Sequence, residues 1–235
     1  MRNIIPLVLM LLSACAPRSD DQNLRPELFE EPCGSSVMNV LKVPRGTMSF
    51  STSRSRPGDS DVYINSNFFD HRGPIGELIV SGKKLSAGVR GGGYFFVKKG
   101  LPGISAYTPP KGAEHSSQTL LVAINDGKVN SPLVRRSHAK ELTYRSLIGV
   151  DKDSNLYIIA SGRGCLVNIS DIISYGEKFN LREAILPDAG SSVDYKLSDG
   201  DREISMKALP GAVKRVMKIE EPKSYILGRI AHQTR

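Results

Sequence analysis

Two amides near residue 65 have the residue type and spacing for chemistry on a sugar. Asn65 and Asn67 belong to an apolar, strand-like run over residues 62–69, and the alternation of a strand would point both amides to one face. Two amides on one face suit the recognition of a polyhydroxyl ligand. Spacing alone favours the alternative that they serve a turn or bulge, where Asn tolerates a positive φ.

A carboxylate follows a second apolar run much later in the chain. Asp188 comes after residues 184–187 and before Gly190 and Ser191, whose backbone N–H groups could form an anion-binding nest. Such a loop suits a base or nucleophile that works beside a phosphate. The alternative is that Asp188 is a turn former.

An arginine next to a glycine run is the third candidate. Arg90 precedes three glycines, residues 91–93, and the aromatic run over residues 94–96. Glycines permit close backbone approach, and Arg90 could meet an anion. The run has neither the later glycine of a dinucleotide fingerprint nor the Gly-Lys-Ser ending of a P-loop, so a bulge or hairpin corner is the alternative.

Taken in order along the chain, these segments resemble the phosphodiester glycosidase family, whose founding activity removes N-acetylglucosamine from a sugar 1-phosphodiester. The family has an Asn-Gly-Gly-Phe-Phe-type strand end early, to which Asn65, Phe68 and Phe69 are similar. It has a Leu-Asp-Gly-Gly-type strand end late, to which Asp188 and the two residues Gly190 and Ser191 are similar. The family has further features between these two motifs, and the segments similar to them here are residues 73–76, 91–97, 117–122, 145–149 and 168–179. The resemblance covers about residues 60–200, and the order of the motifs supports it more than any single motif.

The resemblance implies hydrolysis of a glycosyl 1-phosphodiester. The leaving group is then a phosphomonoester, which is stable as an anion, so positive charge beside it matters more than protonation. The implied catalytic residues are Asp188, as nucleophile or general base at the anomeric carbon, and Arg145, which holds the phosphate with Arg90 as the alternative. The implied substrate-binding residues are Asn65, Asn67, Arg90, Gln118, Gly190 and Ser191. A second carboxylate stays open among Asp70, Glu183 and Asp194.

Departures from the family pattern define the alternative function. Ser66, Asn67 and Ala189 stand at family glycines, and Pro187 stands where an apolar residue usually precedes the Asp. Each added side chain narrows the site, and Ala189 could become left-handed only at a cost. The alternative is therefore a catalytically inactive envelope lipoprotein of the same fold that binds an anionic glycan.

The elements that must position these residues are mostly strands. From residue 36 onward, short strand-like runs are broken by Gly, Asp, Asn and Pro, with one helical stretch that begins at Ser170, whose hydroxyl would cap it. With the resemblance, this predicts a single α+β domain over residues 36–235, built on a mixed, mostly antiparallel sheet with few helices. Residues 151–155 predict a hairpin turn, and residues 100–118 a long loop. The candidate strands are 37–43, 47–52, 62–69, 76–80, 94–97, 120–124, 146–150, 156–160, 184–186, 193–196, 213–219 and 224–230.

The N-terminus predicts export. Residues 1–14 have a basic start and nine apolar residues, too few to span a bilayer, which takes roughly 20. Their Leu-Ser-Ala ending before Cys15 resembles the bacterial lipoprotein signal. This implies a diacylglycerol on Cys15, a flexible tether over residues 15–35 and a lipid-anchored place at the outer membrane facing the periplasm; ordinary secretion with cleavage near Ala14 is the alternative. Cys33 and Cys165 then remain, either as a disulfide or as two buried thiols.

The composition limits the partners. There are 32 Lys and Arg residues against 24 Asp and Glu residues, and the resulting net charge of +8 is scattered along the chain. The excess suggests anionic surroundings and an anionic glycan or sugar phosphate as substrate. Nucleic acid ranks last because the basic residues lack interleaved aromatic residues. No cofactor motif or metal-ligand spacing is present, so neither is predicted, and the oligomeric state stays open.

Overall fold

The protein is dominated by β-structure. The computed structural model describes residues 24–210, 214, 217 and 220–231, and 47% of these residues lie in strands while 11% are helical. The prediction of an α+β fold is therefore wrong, and the fold is mostly β. The physical reason is that nearly every apolar run is short and follows the two-residue period of a strand, which leaves few amphipathic stretches for helices.

The elements are numbered here in chain order. The strands are β1 Glu27–Cys33, β2 Ser36–Val43, β3 Met48–Ser53, β4 Val62–Asn65, β5 Phe69–Asp70, β6 Gly73–Pro74, β7 Leu78–Val80, β8 Lys83–Ser86, β9 Gly93–Lys98, β10 Leu101–Ser105, β11 His115–Thr119, β12 Leu121–Asn125, β13 Lys128–Val129, β14 Ser146–Asp151, β15 Leu156–Ser161, β16 Leu181–Leu186, β17 Asp194–Ser198, β18 Glu203–Lys207 and β19 Tyr225–Ile230. Helix α1 is Ser131–Val134 and helix α2 is Ile169–Lys178, and short 3₁₀ turns cover Ser137–Lys140 and Gly190–Ser192.

The strands form three large antiparallel sheets and one small pair. The seven-stranded sheet has the order β1-β2-β15-β14-β16-β12-β13. The two five-stranded sheets have the orders β10-β9-β11-β7-β8 and β18-β17-β4-β19-β3, and β5 pairs with β6. Strands β14 and β15 pair in antiparallel register around residues 151–155, so the predicted hairpin is confirmed.

The seven-stranded sheet is buried on both faces. Alternate residues of one strand enter different hydrophobic clusters: Ile148 packs with the five-stranded sheets, while its neighbour Leu147 packs against α2. The same alternation separates Leu41 from Val40 in the adjacent part of the sheet. This period-two division places β14 and β16 between two packed apolar clusters.

Helix α2 is capped two residues earlier than predicted, and it begins at Ile169. Asn168, and not Ser170, caps the helix: the Asn168 side chain accepts a hydrogen bond from Asp171 N at 2.9 Å, and Asp171 Oδ2 accepts one from Asn168 N at 3.2 Å. This reciprocal capping box satisfies two free backbone donors. A methyl group on Gly176 would lie 2.8 Å from Ile124 Cδ1, so glycine lets the helix approach the sheet.

Two loop predictions were wrong, and two of the three missed strands are edge strands that contain a proline. Residues 27–33 were assigned to the tether but form β1. Within the predicted loop 100–118, residues 101–105 form β10 and residues 115–118 belong to the central strand β11. Pro32 lies on β1 and Pro102 on β10, both at the edge of their sheets, where a missing N–H costs no ladder hydrogen bond.

The predicted signal peptide and the lipidation site at Cys15 lie outside the described residues. So does most of the predicted strand 213–219, although Lys214 is helical. Within the described part of the chain, no helix is long and apolar enough to cross a membrane.

Cys33 and Cys165 are joined by a disulfide. The bond ties the end of β1 to the segment before α2, across 132 positions of sequence and a Cα–Cα distance of 5.7 Å. On the chain-entropy account, closing so long a loop in the unfolded chain stabilises the fold by about 2–5 kcal/mol.

Candidate active site

The end of β4 and the loop after β16 lie side by side. Asn65 Nδ2 donates to the carbonyl oxygen of Asp188 at 3.0 Å, and Asp188 N donates to the carbonyl oxygen of Ser66 at 3.1 Å. Asp194 N donates in turn to Asn65 Oδ1 at 3.1 Å. The two segments that the family resemblance brought together are therefore direct neighbours in space.

A cavity of about 390 Å³ opens beside this junction. Its polar wall includes Arg136, His138, Glu141 and Arg145, and its apolar wall includes Phe68, Leu120, Leu121 and Pro187. Ala189 and Gly190 complete the side nearest Asp188. Three basic side chains face one acidic side chain, so the cavity favours an anionic ligand.

Arg145 is the buried cation of this wall. It lies directly before β14 with 6% of its surface exposed, Nε donates to the carbonyl of Val167 at 3.1 Å, and Nη2 donates to the carbonyl of Glu141 at 3.1 Å. Desolvation lowers the pKa of Arg145, while the nearby charge of Glu141 raises it. No ion pair to Arg145 occurs among the described residues, so its charge and the unused N–H groups of its planar fork are available to an anion.

Asp188 is half-buried between two residues that line the cavity. Its Oδ1 accepts a hydrogen bond from Ala189 N at 2.9 Å. Desolvation raises the pKa of Asp188, although hydrogen bonds from Ser192 and Ala189 and the charge of Lys214 act in the opposite direction. A raised carboxyl pKa suits proton transfer near neutral pH. The carboxylate itself is not among the groups that line the cavity.

Lys214 is a charged neighbour that the sequence analysis missed. Its side chain is only 1% exposed, and Nζ lies 3.3 Å from Glu221 Oε2. The sequence predicts a strand over residues 213–219, but a lysine in such a run gives no sign that its side chain is buried beside Asp188.

The amides of Asn65 and Asn67 do not share one exposed face. Both residues are fully buried. The Asn65 amide is hydrogen-bonded to the carbonyl oxygen of Asp188 and to the backbone N–H of Asp194. Asn67 Oδ1 accepts hydrogen bonds from Ser117 Oγ and Ser66 Oγ, and its Nδ2 donates to the carbonyl of Glu77. Strand β4 ends at Asn65, so strand alternation does not extend to Asn67, and the shared-face prediction is wrong.

Gln118 is likewise buried and engaged on both ends of its amide. Oε1 accepts from Glu77 N and from Val89 N, both at 3.0 Å. Nε2 donates to the carbonyl oxygens of Val89 at 2.8 Å and Gly91 at 2.5 Å. Gln118 therefore connects the loop after β8 to the residue before β7 by hydrogen bonds. Contact with a sugar hydroxyl would require breaking one of these hydrogen bonds.

In the loop after Asp188, one of the two predicted nest donors is already hydrogen-bonded within the protein. Ala189 N is bonded to Asp188, and Gly190 N donates to the carbonyl of Tyr144 at 2.8 Å. Gly190 has a φ of +69° and lines the cavity, and Ser191 follows it in the 3₁₀ turn. Ala189 has an extended backbone with a φ of −118°, so an alanine at this position causes no left-handed strain.

Arg90 is exposed on the loop after β8 and does not line the cavity with Arg145. The glycine run beside it serves packing: a methyl group on Gly92 would overlap the carbonyl of Thr119, and one on Gly93 would overlap the side chain of Ile185. Close approach of backbones, and not of a ligand, accounts for these two glycines.

The three carboxylates considered as a second catalytic group lie elsewhere. Asp70 accepts hydrogen bonds from Arg72 N and Gly73 N in a turn, and Glu183 accepts one from Asp126 N. Asp194 is fully buried and accepts a hydrogen bond from Tyr225 OH at 3.0 Å.

The acidic residue on the cavity wall is instead Glu141. Arg136, His138 and Glu141 follow one another within the basic segment 135–141, which was the available sequence signal. Among the described residues, no three His, Cys, Asp or Glu side chains come together as they would around a metal ion.

The fold is shared with solved structures of low sequence identity. The catalytic domain of zebrafish N-acetylglucosamine-1-phosphodiester alpha-N-acetylglucosaminidase, auto-inhibited by its pro-peptide, superposes with a TM-score of 0.62 and 14% identity over 88% of this chain and 82% of that one. A hypothetical protein from Synechocystis superposes with a TM-score of 0.56 and 12% identity over 88% of this chain and 62% of that one. No protein-family model and no curated protein matches the sequence. At these identities the likeness establishes a common fold.

Proposed function

We propose that the cavity hydrolyses a glycosyl 1-phosphodiester. The observation that supports this most strongly is Arg145, a buried guanidinium without a carboxylate partner among the described residues, on the same cavity wall as the residues on both sides of Asp188. Arg145 binds the phosphate, and Arg136 adds a second positive charge on the cavity wall, where the His138 ring also lies. The fold shared with an enzyme that bears a phosphodiester glycosidase name is in keeping with this reaction.

Asp188 acts at the anomeric carbon, as nucleophile or as the base that takes a proton from water. Desolvation raises the pKa of Asp188, which is the direction that favours proton transfer by a carboxyl group. Arg145 stabilises the departing phosphomonoester through charge, so no strong acid is required at the leaving oxygen. We further propose that residues 1–14 and Cys15 export the chain and anchor it by lipid at the outer membrane.

The test is sugar release from a panel of chromogenic glycosyl 1-phosphodiesters. Asp188→Asn should lower turnover by about 10³-fold or more, because it removes the base while it preserves size. Asp70→Asn is the matched control, since Asp70 is also an Asp at a strand end and lies in a surface turn. Full turnover by Asp188→Asn, with the thermal unfolding midpoint unchanged, would show that the assigned role is wrong.

A module that binds an anionic glycan without cleaving it is the second candidate. The observation that favours it is that the amides of Asn65, Asn67 and Gln118 are all occupied by protein groups and that the Asp188 carboxylate does not line the cavity. The replaced glycines do not favour it, because Ala189 is extended and Asn67 does not have a positive φ. Saturable binding of the panel without any sugar release would identify this module.

A further inference from the structure

Glu141 is the acidic residue of the cavity wall, and neither phosphate binding by Arg145 nor attack by Asp188 uses its carboxylate. The residue is exposed, and no ion pair to its carboxylate occurs among the described residues. A carboxylate that no cation of the protein neutralises, beside a cavity that favours an anion, is available for proton transfer.

The backbone around Glu141 turns its side chain to the cavity. Glu141 N lies 3.3 Å from the His138 carbonyl oxygen at the end of the 3₁₀ turn, and Glu141 itself has an extended backbone. The chain continues into the antiparallel bridge between Thr143 and Val167. The alternate residues Glu141, Thr143 and Arg145 all line the cavity, as side chains on one face of an extended segment do.

Glu141 also lies beside the guanidinium that is proposed to hold the phosphate. Arg145 Nη2 donates to the Glu141 carbonyl oxygen at 3.1 Å, so the long Arg145 side chain reaches back along the segment to Glu141. Desolvation lowers the pKa of Arg145, and the charge of Glu141 acts against this change. A phosphate held by Arg145 would therefore have Glu141 on its own side of the sugar.

The two halves of a double displacement make different demands on acid–base chemistry. The phosphomonoester leaves as a stable anion, so the first half needs positive charge and no strong acid. The water of the second half is a weak nucleophile and must lose a proton as it attacks. It enters on the face that the leaving group has vacated, which here is the face of Arg145 and Glu141.

We propose that Glu141 is the general base of this second half, in which water breaks a covalent bond between Asp188 and the sugar. The Glu141 carboxylate accepts one proton of the water, and the water oxygen bonds to the anomeric carbon. The electron pair of the broken C–O bond returns to the Asp188 carboxylate. The sugar leaves with its new hydroxyl group, Glu141 gives the proton to solvent, and the anomeric configuration is retained.

This inference deepens the proposed function, rests on it for the substrate, and makes Asp188 the nucleophile of its two proposed roles. Asp188 stands between Pro187 and Ala189, which both line the cavity. Its side chain reaches the sugar by turning away from the Ala189 N–H that it accepts from in this structure.

Separate assays of the phosphomonoester and of the sugar follow the two halves of the reaction. In the full chain, Glu141→Gln should release about one equivalent of phosphomonoester from a glycosyl 1-phosphodiester in a fast first turnover. Later turnovers should be about 10²–10⁴-fold slower than those of the unaltered protein, and mass spectrometry of the quenched variant should show one added glycosyl group. The matched control is Glu177→Gln, at an exposed glutamate beside a different groove with Lys152, and it should turn over as the unaltered protein does.

Azide distinguishes a base from a structural residue, because this nucleophile needs no deprotonation. It should restore turnover in Glu141→Gln but not in Asp188→Asn, and the product should be a glycosyl azide with the configuration of the substrate. The sugar that the unaltered protein releases should also retain its configuration.

Full steady-state turnover by Glu141→Gln, or a first turnover as slow as the later ones, would overturn the assignment of Glu141 as the base. Inversion at the anomeric carbon by the unaltered protein would overturn it too, while leaving the proposed hydrolysis in place. Binding of a glycosyl 1-phosphate that is about tenfold weaker in Glu141→Gln would show that Glu141 positions Arg145 instead. Absence of any sugar release by the unaltered protein would refute the proposed function itself.

Discussion

The buried amides and the buried guanidinium of this protein differ in how much of their hydrogen-bonding capacity the protein itself uses. Asn65 and Gln118 are fully buried, and hydrogen bonds to backbone groups use both ends of each amide. Arg145 is almost as buried, yet only two protein carbonyls accept hydrogen bonds from its side chain, and no described carboxylate forms an ion pair with it. Burial alone therefore does not mark a binding residue. Unused charge and donor capacity beside a cavity does.

The largest effect should come from Gln118. Gln118→Ala leaves the N–H groups of Glu77 and Val89 and the carbonyls of Val89 and Gly91 without this partner, at about 1–3 kcal/mol for each group that stays dry. We expect the free energy of unfolding to fall by about 4 kcal/mol in urea titrations. A loss of unfolding free energy below about 1 kcal/mol would mean that water replaces the Gln118 amide. Gln118 would then be accessible to a ligand, which contradicts its description as a fully used buried amide.

Asn65 should have the next largest effect. Asn65→Ala removes the partners of the Asp188 carbonyl and the Asp194 N–H, so we expect a loss of about 2–3 kcal/mol in unfolding free energy. Asn155→Ala is the control, because the Asn155 side chain bonds Asp151 in a turn near the surface, and it should cost about 1 kcal/mol or less. Equal losses in the two variants would show that the Asn65 hydrogen bonds at the end of β4 stabilise the fold no more than those of a turn near the surface.

The smallest effect is a pH dependence at His115, a half-buried group whose ring nitrogen accepts a hydrogen bond. Nδ1 of His115 accepts from Thr52 N at 3.2 Å, and desolvation lowers its pKa below the ordinary 6.5. Since the unfolded chain takes up the proton first as pH falls through 6.5, the stabilisation is complete above that pH and is lost below it.

We therefore expect a fall of about 1 kcal/mol or less in unfolding free energy between pH 7 and pH 5. The fall should be smaller in His115→Gln, measured by urea titration at each pH. An identical slope in the variant would assign the pH dependence to other groups.

The sequence predicted central strands better than edges and contacts. Strands β14 and β15 and their turn were predicted because their apolar runs are continuous and bounded by turn formers. Strands β1 and β10 were missed because each contains a proline, which only the position at a sheet edge permits.

The candidate site was predicted in outline and not in detail. The family resemblance placed Asn65 beside Asp188, which local physical chemistry alone did not. The partners that occupy Asn67 and Gln118 come from Glu77 and Val89, whose positions depend on the assembled sheets. His138 lines the cavity, but a histidine in a polar segment gives no sign of a neighbouring cavity in the sequence.

The central claim is that Arg145 retains charge for a phosphate, and the most direct measurement is calorimetric titration of a glycosyl 1-phosphate into the full chain and its variants. Arg145→Gln should weaken binding by about 10-fold or more, because a charge-assisted contact is lost, while Arg182→Gln, at a surface arginine paired with Asp126, should bind as the unaltered protein does. Equal affinity of the Arg145→Gln variant and the unaltered protein would contradict the account.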